Sequence, residues 1–446
     1  MTEITLSQIL DARENRVKRQ KELLSLYNLP VVCFTMNIAG PIKTSPLIER
    51  SFYEGIKLFK GSLPSNAVIH EEITTEATGC QGLFSIRMDS EKLKAICVDI
   101  EEATSLGRLF DIDVIKLDFS KEERKIPRNC IVCDSPGRAC AAGRVHPVEI
   151  LQEVTKKIME DYFLSSDKQR TSALAVKSLI DEVNTTPKPG LVDRRNNGSH
   201  KDMNADTFEK SAYALKPYFT ECFSIGNSYK DFSYDEIFKR LRIAGLNAEK
   251  SMYNATGGIN THKGIIYSMG ILCAAIGKLW SAEEPFKSSL NICSESAKIV
   301  SEAVLKDFDN IDTSTAGGRL YLSYGLKGIR GEAASGFKSV TDISLPCYKR
   351  LIEKNFSKND AGAITLLNLI ANVKDTNLYH RGGIEGALYA QNKVKELLKK
   401  SPEPSIKQIE ITDDSFIEKN LSPGGCADLL AITYFLYDIT NKYPPV

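Results

Sequence analysis

The change of texture near residue 170 constrains this chain most. Before it, apolar residues come in short runs rich in β-branched and aromatic side chains. After it, they recur at helical spacing through long segments separated by short glycine-rich connectors. A length of 446 residues fits two or three domains. The polar segment SSDKQR, residues 165–170, reads as the hinge between the two parts, with domains over 1–167 and 171–446.

In the first part, residues 1–20 read as an amphipathic helix, lacking the apolar run of a signal peptide. Residues 31–38 read as a strand and 47–60 as a helix. Residues 74–88, 92–102 and 108–119 read as three more strands, and 146–164 as a closing helix. Strands that adjoin without long helices between them predict an α+β fold with a mixed or antiparallel sheet. The second part predicts an all-α domain, with helices over 171–183, 205–223, 234–252, 263–280, 288–308, 344–352 and 361–373. Its most apolar stretch, 264–277, is too short for the roughly 20 residues of a membrane span and reads as a buried core helix.

Charge excludes some function classes. Lys and Arg number 58 against 57 Asp and Glu, and residues 1–170 hold 24 basic and 25 acidic side chains. Neither half is polarised, which argues against a nucleic-acid face or an anionic-membrane module. The 11 cysteines are odd in number, and with no export signal they read as free thiols of a cytoplasmic protein.

The connectors of the second part carry chemistry. They are EVNTTPKPGLVDRRNNGSHKDMN (182–204), NATGGINTHKGIIYSMG (254–270), GIRGEAASGF (328–337), DTNLYHRGGIEG (375–386) and SPGGCADLLA (422–431). Glycine lets backbone approach a ligand closely, as at Gly257, Gly258, Gly424 and Gly425, and helix N-termini present N–H groups to phosphate. Lys188, Lys263, Arg330 and Arg381 would add positive charge, Lys188 and Arg330 holding phosphates. Asp193, Asp202, Glu249, Glu332, Asp375 and Asp428 offer Mg²⁺ ligands or a general base, and His200 and His262 are the histidine candidates.

These strings closely resemble the triphosphoribosyl-dephospho-CoA synthase family over residues 171–446. The resemblance implies a reaction of ATP with 3′-dephospho-CoA that forms 2′-(5″-triphosphoribosyl)-3′-dephospho-CoA and releases adenine. An N-glycosidic bond that breaks through a cation-like ribosyl centre calls for nearby carboxylates, among them Glu249, Glu332 and Asp375. A base must take the proton of the attacking ribose hydroxyl, and three phosphates call for Mg²⁺. One position departs from the family motif: Cys426 stands where SPGGSADLL has serine. With a helix beginning at Ala427, its thiol is expected near a helix N-terminus, with a lowered pKa and protection by ATP from alkylation.

The first part holds a second constellation. In GRLFDIDVI (107–115), Asp111 and Asp113 are two apart in a strand pattern, so both carboxylates share a face and suit Mg²⁺ in nucleotidyl transfer; the bland alternative is a charged edge strand. In RNCIVCDSPGRACAAGRVHPVEI (128–150), Cys130, Cys133, Cys140 and His146 look like a Cys₃His zinc set. Their spacing is not that of a zinc knuckle, so the alternative has Arg128, Arg138, Arg144 and His146 around a phosphate, with the cysteines as packing residues.

These segments, with residues 29–55, resemble the holo-citrate lyase synthase family, apo-citrate lyase phosphoribosyl-dephospho-CoA transferases, over roughly residues 20–165. The resemblance implies transfer of phosphoribosyl-dephospho-CoA to a serine of the lyase's acyl carrier (gamma) subunit, with release of pyrophosphate. It puts Gly107, Arg108, Asp111 and Asp113 at metal and triphosphate, and Arg138, Arg144 and His146 at substrate; Pro41 and Lys43 lie in a loop that would close over the site. The product of the second part is then the substrate of the first, a bifunctional transferase. The competing reading makes the first part a zinc-stabilised carrier-binding module without chemistry.

Overall fold

The computed structural model describes residues 3–441, and its contacts divide the chain between Ser166 and Asp167. The first unit contains α1 (Leu6–Tyr27), β1 (Val31–Met36), α2 (Pro46–Ser62), β2 (Val68–Glu76), β3 (Gly79–Ile86), α3 (Ser90–Ala103), β4 (Phe110–Ile115) and α4 (Gly137–Gly143). Helix α5 (Val148–Asn184) runs through the division, so residues 165–170, expected as a polar connector, are helical.

The four strands form one antiparallel sheet in the order β2-β3-β1-β4. Val32 and Phe34 of β1 face Val114 and Ile112 of β4 in register. Alternation splits the sheet's side chains between its two faces. Phe34, Phe84 and Phe110 pack with Phe52 and Phe59 of α2, ring centroids 5.2–6.3 Å apart. Val31, Cys33, Leu83 and Ile115, on the opposite face, bury against Leu23 and Leu24 of α1. Residues 92–102, expected as a strand, belong to α3. Its N-cap, Asp89, accepts from Lys92 N, and Leu93, Cys97 and Ile100 give a helical, not alternating, buried stripe.

The second unit is helical: α6 (Ala205–Ala214), α7 (Lys216–Ser228), α8 (Tyr234–Thr256), α9 (Lys263–Leu279), α10 (Ser289–Asp309), α11 (Ala316–Tyr324), α12 (Gly328–Ala334), α13 (Leu345–Glu353), α14 (Lys358–Asn372), α15 (Thr376–Lys400), α16 (Ile406–Glu418) and α17 (Gly424–Asn441). The single helix expected over 205–223 is two, broken at Leu215 before Pro217, which cannot donate to the preceding turn. Helices α9, α14 and α17 are apolar on nearly every side and form the buried layer. Among the described residues no helix is long and apolar enough to cross a membrane, and α9 is the core helix expected over 264–277.

Candidate active site

A cavity of about 900 Å³ opens in the second unit. Helices α9, α15 and α17 all begin at it, as does the short α12. The loop after α5 supplies the remaining wall through Lys188, Leu191, Val192 and His200. Several long helices that start at one cavity aim unpaired N–H groups and positive dipole ends at whatever occupies it.

Of the residues expected at the site, Lys188, His200, His262, Lys263, Glu332, Asp375, Arg381, Gly424, Gly425 and Asp428 line this cavity. Asp193, Asp202, Glu249, Gly257, Gly258 and Arg330 do not. Asp193 is buried and organises the loop, its carboxylate accepting from Lys188 N at 2.8 Å and Arg195 N at 2.7 Å. Glu249 pairs at 2.9 Å with Lys263, itself a lining residue, whereas Arg330 pairs with Asp307 at 3.3 Å away from the lining. Gly257 and Gly258 end α8 with positive φ, facing open space, and Asp202 is exposed. Residues the sequence reading passed over also line the cavity, notably Glu182, Asn260, Lys327, Lys374 and Asn377.

The carboxyl groups differ in how tightly they are held. Asp375 caps α15: one oxygen accepts from Asn377 N and Leu378 N at 2.7 and 3.2 Å, the other from Cys426 N at 2.7 Å. Burial raises its pKa against those three bonds. Glu332 accepts from the Ser339 hydroxyl at 2.6 Å. Glu182 accepts from the ammonium of Lys188, which is 1% exposed and also donates to Glu182 O at 2.8 Å. Lys188 therefore reaches the cavity as half of a buried ion pair and not as a free cation.

Asp428 is the exception. Among the described residues no hydrogen-bond donor reaches its carboxyl group, which lies against Gly264 at the start of α9; a side chain at Gly264 would collide with it. Burial, reinforced by the charges of Glu182 and Asp375, pushes its pKa well above the usual carboxylate range. The histidines shift the other way. Burial, then the Arg381 charge, lowers His200 to about 4, and burial, then Lys188, lowers His262 to about 3. His200 is clamped, accepting at Nδ1 from Arg381 Nη2 at 3.2 Å with Nε2 2.9 Å from the Ser422 hydroxyl. His262 is fixed through Nδ1, 2.7 Å from Ser211 Oγ.

Two expectations for the last motif fail. Helix α17 starts at Gly424, not Ala427, so Cys426 lies inside its first turn and is fully buried. Its thiol pKa is raised well above normal, first by burial and then by the Asp375 carboxylate, so no reactive thiolate forms there.

In the first unit, Asp111 and Asp113 share one face of β4, with Phe110, Ile112 and Val114 buried on the other, and β4 is an edge strand. Asp113 is ion-paired with Lys121, and Asp111 is exposed. Gly107 is required by close approach: a side chain there would meet the carbonyls of Ile100 and Glu101 at 2.5 and 2.7 Å. Arg108 donates to Asn129 O at 2.7 Å. The loop of Pro41 and Lys43 is tied down, Pro41 O accepting from Ile4 N and Lys43 donating to Ile38 O. Arg138 and Arg144 are exposed, on α4 and at its C-cap, while His146 Nε2 lies 3.2 Å from Cys133 Sγ.

Residues 168–445 match the family model of ATP:dephospho-CoA triphosphoribosyl transferases, and residues 4–162 that of apo-citrate lyase phosphoribosyl-dephospho-CoA transferases. Protein CitXG of Haemophilus influenzae is 34% identical over 97% of this chain and 96% of its own, and Protein CitXG of Leuconostoc mesenteroides subsp. cremoris is 33% identical over 97% of each. A probable 2-(5''-triphosphoribosyl)-3'-dephosphocoenzyme-A synthase of Photobacterium profundum is 41% identical over 64% of this chain and 95% of its own. A transferase match across 4–162 disfavours a first part without chemistry. The chain belongs to the ATP:dephospho-CoA triphosphoribosyl transferase family, fused in one polypeptide to an apo-citrate lyase phosphoribosyl-dephospho-CoA transferase part.

Proposed function

We propose that the helical cavity is where ATP and 3′-dephospho-CoA condense, and that the first unit passes the resulting phosphoribosyl-dephospho-CoA to a serine of the citrate lyase acyl carrier (gamma) subunit. The observation that carries the first half is the meeting of three long helix N-termini with Lys263, Lys327, Lys374 and Arg381 around an untethered carboxyl. The helix ends and cations suit the triphosphate. Asp428 suits the reacting end. When ionised it stabilises the ribosyl cation and accepts the proton of the attacking 2′-hydroxyl; burial raises its pKa, which makes the carboxylate a stronger base. Asp375 and Glu332, held by backbone and serine, position the starts of α15 and α17 and the α12 segment. His200, neutral and clamped, orients Arg381.

Mg²⁺ would enter with the polyphosphate, since among the described residues no carboxylate set forms a ready three-donor cage; it would neutralise phosphate charge. In the first unit, Asp111 and Asp113 fit it. There, with Arg108, Arg138 and Arg144 toward the triphosphate, the transfer is a nucleotidyltransferase step that releases pyrophosphate. The fused full chain then works in the cytoplasm on consecutive steps.

The test is incubation of the full chain with ATP, 3′-dephospho-CoA, Mg²⁺ and apo carrier protein. Free adenine and a carrier heavier by one phosphoribosyl-dephospho-CoA are expected. ADP or phosphate in place of adenine would overturn the reading.

A further inference from the structure

Among the described residues, one group of three or more His, Cys, Asp or Glu side chains has ligand atoms all within 4.8 Å of one another: Cys130, Cys133, Cys140 and His146. Cys133 Sγ lies 3.4 Å from Cys140 Sγ and 3.2 Å from His146 Nε2. In a tetrahedral zinc site the edges are about 3.8 Å between two sulfurs and about 3.5 Å between sulfur and nitrogen, from Zn–S near 2.3 Å and Zn–N near 2.0 Å. The donors are thus already collected at nearly the separations zinc requires.

The backbone prepares the cluster. Asn129 and Pro136 form an antiparallel bridge, and Cys130 N donates to Ser135 O at 2.7 Å, closing the turn that carries Cys130 and Cys133. Val132 N donates to Cys130 Sγ at 3.4 Å, the outer-shell bond a metal-bound thiolate uses. Cys140 comes from α4, and Val145 N donates to its carbonyl, turning the chain so that His146 faces the sulfurs. Cys130 and Cys140 are buried, whereas Cys133 is exposed and gives a metal an entry path. The wide spacing that argues against a zinc knuckle in sequence is closed by the short helix.

We propose that Cys130, Cys133, Cys140 and His146 form a structural zinc site that clips loop 128–146 to the edge of the sheet. Three thiols lose their protons to solvent, His146 binds as neutral imidazole through Nε2, and no electron changes hands. Four protein ligands leave no open position, so the ion is structural. The clip holds what the loop touches: Arg128 donates to Phe110 O at 2.5 Å and pairs with buried Glu101, and Asn129 O accepts from Arg108. Through these bonds the segment bearing Arg138 and Arg144 is tied to β4.

The test is zinc analysis of the purified full chain after extensive dialysis, beside Cys133→Ser and Cys140→Ser, with far-UV circular dichroism and carrier modification as checks that the first unit of each variant folds. About one zinc per chain is expected, falling at least tenfold in both variants while the far-UV spectrum is unchanged. Cobalt added to metal-free protein should give a thiolate-to-metal charge-transfer band that both variants lose. A wild-type chain without zinc and without the cobalt band overturns the site. So does a Cys133–Cys140 disulfide in freshly purified, zinc-free protein, or variants that keep their zinc.

Discussion

Asp428 and its neighbour Gly264 make the sharpest residue-scale statement. Asp428→Asn removes the ionisable group without changing its size, so adenine release should fall at least a hundredfold, within the range of a lost general base. ATP binding, read by calorimetry, should persist; unaltered turnover would remove Asp428 from the chemistry. Gly264→Ala drives a methyl into the same carboxyl group and should depress turnover more than ATP affinity. The histidines add a pH signature. His262 has a folded pKa of about 3 against an ordinary 6.5, so between those values the unfolded chain binds the extra proton. Its contribution to stability is complete above about pH 6.5 and is lost as pH falls toward 3. His262→Gln should flatten that slope in thermal melts taken between pH 7 and 4, and an unchanged slope would refute the assignment. Sequence motifs located ten lining residues, because glycine and charge cluster at helix starts. They did not separate Asp428, free in the cavity, from Asp375, an N-cap, since both read as acids in glycine-rich strings. Glu182 escaped notice because its partnership with Lys188 depends on a loop folding back across six residues.

At the scale of elements, α7 and α9 cross at glycine. A side chain at Gly226 would strike the carbonyl of Ala274, and one at Gly277 that of Phe223. Gly226→Ala should therefore cost about 1–3 kcal/mol in denaturant unfolding, the overpacking penalty, although alanine is the better helix former. A stabilised variant would show that the two helices separate easily. Helix α5 gives a second test. Trp280 Nε1 donates to the buried Asp167 at 2.8 Å, anchoring the segment expected to be a hinge. Trypsin should cut slowly at Lys168 and Arg170, and rapid native-state cleavage there would restore the hinge. Polar composition misled at 165–170 because Ser, Asp, Lys, Gln and Arg are all compatible with a helix whose neighbours supply partners. Residues 92–102 misled for the converse reason: Ile, Cys and Val suggest a strand, and the cap at Asp89 that makes them a helix lies outside the run. Helix α15 was likewise hidden, because Gly383 breaks its run with non-helical φ/ψ.

For the whole molecule, the two activities belong to separate units, and among the described residues the helical cavity is lined by the second unit. The family match of each part covers its own unit, which is why the two-part organisation was readable from motifs even where individual elements were not. Each part's activity can therefore be tested by itself, and so can the passage of the intermediate between them. Asp428→Asn should then fail to release adenine yet still modify the carrier when given the triphosphoribosyl compound. Asp113→Asn should do the reverse. Each variant alone, given ATP and 3′-dephospho-CoA, should leave the carrier unmodified. Mixed in equal amounts, they should modify it after a lag in which the intermediate accumulates in solution, and diluting the mixture should lengthen that lag. A mixture that stays inactive, although each variant keeps its one activity, would mean that the intermediate never leaves the chain that made it.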